Sequence, residues 1–231
     1  MAACARIRLP FRSVSFSLEP TIQPSSLMTD TGNRSHDGAR SILALQKPQC
    51  EGSARFAVAS LLVYSTVAFA QRWMYQRFTL PGAYAVWTLL FMSLGGWALK
   101  PLVVQPRAKR TFWVWFALAF FSYAACWTAS YFTFRRVAGE WLGSLAGSAA
   151  LALVLAAAFN AWSSLSRIAV VLFVAHSVGY FFGEWLHHAL HGKIGMLLWG
   201  LCYGLGFGFG LTQALYFAQT ADAQPARKSA D

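Results

Sequence analysis

The chain has 231 residues, of which 57% are hydrophobic and only 12% charged, against about 45–50% and about 25% in an ordinary soluble domain. A soluble fold of this length could not bury that apolar excess, so the composition excludes one and makes the lipid bilayer the chain's solvent. The net charge of +11 excludes nucleic acid as a partner by its placement: the basic residues form short clusters between apolar runs, where lipid head groups and the insertion machinery read them.

Residues 1–54 hold prolines, serines and mixed charge with no long apolar run. Such a segment does not offset its own ordering entropy and is expected to be a disordered cytoplasmic tail. Arg6, Arg8 and Arg12 stand among serines without an acid in the first eighteen residues, the composition of an organellar transit peptide. The preferred alternative takes Met28 as the initiator.

From Arg55 the chain divides at its charges into uncharged runs: Phe56–Gln71, Phe78–Leu99, Thr111–Phe134, Trp141–Ser166, Ile168–Gly183 and Ile194–Ala221. About 20 helical residues cross the hydrocarbon core, and lipid tolerates only structures that satisfy their own backbone. The expectation is therefore an all-α, polytopic bundle of about six transmembrane helices over 55–219, followed by a short cytoplasmic tail over 220–231. Four runs are long enough alone. The first needs Arg72 to extend its side chain to the interface. The fifth must continue through Glu184 and His187 toward Leu190.

Trp73, Trp97, Trp113, Trp141, Trp162 and Trp185 fall near run ends, where interfacial tryptophans gather, whereas Trp87, Trp127 and Trp199 lie deeper and are expected to pack between helices. Ten basic residues on one side of the spans (Arg40 through Lys228) against five on the other (Arg72, Arg77, Arg135, Arg136 and Lys193) predict cytoplasmic termini in a cell membrane. The cysteines, Cys4, Cys50, Cys126 and Cys202, lack metal or redox spacing and read as small buried hydrophobes.

The last run is rich in glycine. At about 100° per residue, Gly200, Gly204 and Gly208 share one face, and Gly195, Gly206 and Gly210 a roughly opposite one. Small residues at this spacing admit close helix approach. Gly143 and Gly147 form a groove on the fourth run that could meet it, and a glycine face could also serve a homo-oligomer. A phosphate-loop reading fails because the strand, the Lys and the helix start are missing.

Only two acids, Glu140 and Glu184, occur between residues 55 and 219. Ionisable groups at membrane depth are costly and usually face a partner or a cavity. On one helix His176, Tyr180, Glu184, His187, His188 and His191 would project within about 120° of one another. Glu184 with His187, His188 and His191 has the four-residue spacing that can share a transition-metal ion. His176, Tyr180 and Glu140 would extend the stripe into a pathway for a proton, an ion or a small solute. Against both stands the plain expectation that polar residues merely end a span, with Glu184 paired to Lys193, Arg135 or Arg136. No cofactor is specified.

Gly139-Glu140-Trp141-Leu142 recurs as Gly183-Glu184-Trp185-Leu186, a weak cue to duplicated hairpins. His176-x-x-Gly179-x-x-x-Gly183 resembles the histidine helix of rhomboid intramembrane proteases. That family needs a Gly-x-Ser-Gly nucleophile, where this chain has Gly143-Ser144-Leu145-Ala146-Gly147-Ser148. Glu184-x-x-His187-His188 resembles one histidine box of the membrane di-iron hydroxylases and desaturases, which need several boxes. Each resemblance covers one helix, and neither assigns a family. Three functions stay open: proton, ion or solute transport or sensing, a metal-dependent membrane enzyme, and a scaffold without chemistry.

Overall fold

The computed structural model describes residues 34–221, with side-chain surroundings given from Pro48 onward. Residues 1–33 and 222–231, which include most of the expected tail and the start-site alternatives, lie outside the described residues.

The described chain is a multi-pass helix bundle. The stretch Arg34–Leu99 is two helices joined at Thr79, whose φ of 60° and ψ of 174° are non-helical and turn the chain back. Two spans result, α1 (residues 34–78) and α2 (residues 80–99). They are followed by α3 (Phe112–Phe134), α4 (Arg136–Phe159), α5 (Leu165–Leu190) and α6 (Gly192–Thr220). α3, α4, α5 and α6 are each long and apolar enough to cross a bilayer, and Pro48–Leu102, which holds most of α1 and all of α2, meets the same criterion as one bent segment. The six uncharged runs thus correspond to six helices. The fifth continues through Glu184 and His187 to Leu190, as its length demands.

Two boundaries differ from the sequence reading. The helix of α1 begins well before residue 55, and residues 48–54 pack on α6. Ser53 Oγ and Thr212 Oγ1 lie 3.1 Å apart, and Gln213 Nε2 donates to Gln49 Oε1 at 2.7 Å. The segment is polar, but its small residues let α6 approach and its side chains find buried partners, which a hydropathy pattern does not register. The fourth run extends to Ser166 in sequence, yet α4 stops at Phe159. Asn160 adopts the left-handed conformation at φ 55°, and Ala161 N donates to Ala156 O at 2.8 Å, closing the helix in the manner of a Schellman cap.

The hairpins α3/α4 and α5/α6 are built alike. Each turns at a residue in a left-handed, extended conformation, Arg135 (φ 53°, ψ 166°) or His191 (φ 53°, ψ 170°). In each the corner residue closes one helix and opens the next: Arg135 N donates to Tyr131 O at 2.8 Å and Arg135 O accepts from Gly139 N at 3.1 Å, as His191 N donates to His187 O at 2.9 Å and His191 O accepts from Gly195 N at 3.3 Å. Glycines set the spacing along both. A Cβ on Gly143 would stand 3.0 Å from Trp127, on Gly147 2.7 Å from Tyr123, on Gly183 2.6 Å from Trp199, and on Gly206 2.5 Å from Ala175 O.

The hairpin correspondence pairs Gly139 with Gly195, each four residues past its corner. The recurring Gly-Glu-Trp-Leu tetrapeptide does not share this register, because Gly183 precedes its corner by eight residues. The groove of Gly143 and Gly147 faces α3 rather than α6. Gly200, Gly204 and Gly208 receive Tyr64, Ser60 with Ala57, and Phe56, all of α1. Gly206 and Gly210 face Ala175 of α5, and Gly195 faces His187. Both glycine faces of α6 are therefore filled within the chain, and neither is left for a second copy.

The half of the bundle away from the hairpin corners is packed with Phe56, Leu99, Phe116, Leu155, Phe207 and Leu211 around a void of about 10 Å³. An apolar void of that size stays dry. The α2–α3 connection is fastened there by Gln219, whose Oε1 accepts from Val104 N at 2.7 Å and whose Nε2 donates to Leu102 O at 3.1 Å.

Candidate functional site

The stripe expected on α5 does not act as one unit. His191 is the corner residue, and its positive φ takes it off the helical register, so it is not one turn beyond His187 on a common face. The His188 side chain is 75% exposed, and its Nε2 lies 3.9 Å from Glu184 Oε1. His187 turns inward and stacks on Trp199 with ring centroids 5.4 Å apart, its Nδ1 buried without a partner. Among the described residues no three His, Cys, Asp or Glu side chains converge to hold a metal ion. The four proposed ligands are separated because the helix ends one residue too early for the last of them.

Glu184 is half-buried, and the ion pair it makes among the described residues is the one with His188; neither Lys193 nor Arg135 nor Arg136 bridges to it. Glu140, half-buried near the start of α4, lies close enough to Glu184 and His188 for their charges to interact. Both carboxylates are also within electrostatic range of Tyr180. The two acids of the membrane region therefore share one rim, on the corner side of the bundle.

His176 lies deeper. It is fully buried, and its Nε2 shares a hydrogen bond with the Tyr123 hydroxyl of α3. Tyr180 stacks over its ring at 5.8 Å, while Tyr203 and Phe207 meet it edge-on at 5.5 and 5.2 Å. Its Nδ1 has no partner. An imidazole enclosed by rings and held at one nitrogen has its orientation fixed, because every rotation would sacrifice the bond to Tyr123.

Above this pair is a cavity of about 300 Å³, walled by rings from five helices: Tyr64 of α1, Trp87 and Phe91 of α2, Tyr123 and Trp127 of α3, Tyr180 of α5 and Tyr203 of α6. Phe91 stacks on Phe120 at 5.6 Å and meets Tyr203 at 5.9 Å, and Trp127 meets Tyr180 at 6.0 Å, so adjacent walls brace one another. Through Tyr84, Thr88, Ala124 and Thr128 the cavity continues into a groove of about 760 Å³ between α2 and α3. The groove runs along the side of the bundle. Aromatic walls with a few polar groups are the usual lining of a small-molecule site.

The sequence reading singled out Tyr180 and His176 of this assembly. It placed Trp127 between helices without a further role, and it passed over Tyr64, Tyr123 and Tyr203. A signal was present in the spacing about the corners. Trp127 and Tyr123 precede Arg135 by eight and twelve residues, facing Gly143 and Gly147. Trp199 and Tyr203 follow His191 by the same intervals; Gly183 faces Trp199, while Gly179, at the mirror position of Tyr203, packs on Cys202 O and Gly206. One hairpin carries its aromatic pair on the first helix and the other on the second, so the pattern appears only when the second is read backward.

Fold and site together define a class, a multi-pass helix bundle with an open, aromatic-walled cavity between its helices on the corner side of its centre. Comparison with family models, with curated proteins and with solved structures found no match.

Proposed function

We propose that this membrane protein binds a small organic solute in the aromatic cavity, as the recognition step of transport or sensing from the corner side. The supporting observation is the position of the cavity: it lies against a buried, hydrogen-bonded Tyr123–His176 pair and above a dry apolar plug. Protons and inorganic ions need a continuous polar or hydrated route. Between the cavity and the opposite end the centre is packed with Phe56, Phe116, Leu155, Phe207 and Leu211, which favours a binding pocket over a conducting pore. Ring walls favour a solute with an organic body.

Ala124 lines both cavity and groove and is itself half-buried. An Ala124→Phe variant fills the space without removing a polar group. A solute library screened by thermal unfolding of purified protein should yield compounds that stabilise the wild type and leave Ala124→Phe unmoved. Equal stabilisation of both proteins would place binding elsewhere.

The reading includes an orientation with both termini cytoplasmic and the corners at Thr79, Arg135 and His191 on the outer face, as the five-against-ten distribution of bases favours. Reporter fusions after Ala108 and after Ala138 should then fall in opposite compartments, Ala108 inside. The reverse result would turn the cavity to face the interior.

A further inference from the structure

We infer that the occupant of this cavity is an organic cation, a molecule whose positive charge is a quaternary or fully alkylated ammonium group; the inference rests on the solute-binding reading above. The cavity offers ring after ring and no fixed charge. Tyr64, Phe91, Phe120, Trp127, Tyr180 and Tyr203 all border it, and no Lys, Arg, Asp or Glu does. Ring faces attract a cation through their quadrupoles, and the attraction grows when water is excluded. Primary ammonium groups also require several hydrogen-bond acceptors. An alkylated ammonium requires only low-polarity surface of negative potential, which the rings supply.

The second observation is the rim. Glu140 and Glu184 are the acids of the membrane region, they are half-buried, and neither is paired with Lys or Arg among the described residues. Two neighbouring carboxylates repel, and holding them near membrane depth is costly where their basic neighbour, His188, is exposed and carries a charge only when protonated. A cation bound beside Tyr180, within reach of both charges, relieves both penalties. Both carboxylates are within electrostatic range of Tyr180, which borders the cavity, although neither carboxylate lines it. The basic residues of the same side, Arg72, Arg77, Arg135, Arg136 and Lys193, are all exposed and none borders the cavity. Lys193 directs its ammonium over Phe69 at 4.7 Å. An anionic solute would thus meet carboxylates at the rim and ring faces inside, with no cation to receive it.

An alkylated ammonium can arrive as a free solute or as the head group of a choline lipid entering along the groove between α2 and α3, and the recognising chemistry is the same. The test uses the full chain in nanodiscs of phosphatidylglycerol and titrates three isosteres by calorimetry: choline, neutral 3,3-dimethylbutan-1-ol and anionic 3,3-dimethylbutanoate. Choline should bind about tenfold or more tightly than the alcohol, the scale of a desolvated cation–π contact, and the carboxylate most weakly. The paired substitution Glu140→Gln with Glu184→Gln, made at the half-exposed rim, should weaken choline several-fold and leave the alcohol unchanged. Trp127→Leu should weaken choline about tenfold and the alcohol by less than threefold. In discs containing phosphatidylcholine, loss of choline binding identifies the lipid head group as occupant, and unchanged binding identifies the free solute; either supports the inference. Equal affinity for choline and the alcohol overturns it while leaving the cavity as a solute site. Binding of none of the three overturns it as well, and the Ala124→Phe library screen then decides separately whether the cavity binds any solute.

Discussion

The Tyr123 hydroxyl and His176 Nε2 are joined by a buried hydrogen bond between α3 and α5. It is the polar contact from which the cavity is built upward. Tyr123→Phe leaves both ring nitrogens of His176 without a protein partner and should destabilise the bundle by about 1–3 kcal/mol, the cost of an orphaned buried polar group. His176→Phe should cost a similar amount. The double variant should recover much of the loss, because two apolar rings face each other with nothing unsatisfied. Unfolding of the purified variants in detergent gives the coupling directly, and strictly additive losses would show that the bond contributes nothing of its own.

Close approach of α5 and α6 depends on backbone meeting backbone at Gly179 and Gly206. A Cβ at Gly206 would lie 2.5 Å from Ala175 O and 2.7 Å from Gly179 Cα. Neither neighbour can rotate away, so Gly206→Ala should destabilise by about 1–3 kcal/mol or more as overpacking forces the helices apart. At Gly210 the nearest atom is the Ala175 methyl at 3.1 Å and the next stands at 3.5 Å. Gly210→Ala should be far milder, and thermal midpoints of the two variants test that ranking.

Gln219 secures the α2–α3 connection by accepting from Val104 N and donating to Leu102 O. Gln219→Leu keeps the bulk and removes both bonds. Loss should fall near about 1–2 kcal/mol, with hydrogen bonds typically worth about 1 kcal/mol each. Limited proteolysis should show faster cleavage near Gln105 in the variant. Unchanged cleavage would mean that Pro101, Pro106 and the Trp115 Nε1 bond to Ala108 O hold the connection unaided.

Chelation separates the cavity from the metal chemistry that the histidine spacing invites. Because His191 leaves the helix and His188 faces outward, washing the protein with a strong chelator should leave its unfolding midpoint unchanged, as should His188→Ala. A midpoint that falls with chelator and returns with zinc would require the corner to rearrange around an ion.

Sequence by itself determined that this is an apolar bundle of about six helices and that α5 continues through Glu184 to Leu190. Those features follow from hydropathy summed along the chain and from the thickness of the hydrocarbon core, both local or one-dimensional quantities. It also resolved the two glycine faces of α6, since helical periodicity fixes which side chains share a side. What each face meets was decided only by tertiary structure: α1 fills one and α5 the other, while Gly143 and Gly147 turn to their own hairpin partner. The same holds for the site. One residue with positive φ, His191, breaks a stripe that helical periodicity would have continued. Tyr64, Trp127, Tyr180 and Tyr203 become neighbours only because four different helices meet at one level. Periodicity gives each helix its faces, but which faces meet depends on corner geometry and on backbone approach at glycine, and those are properties of pairs of helices.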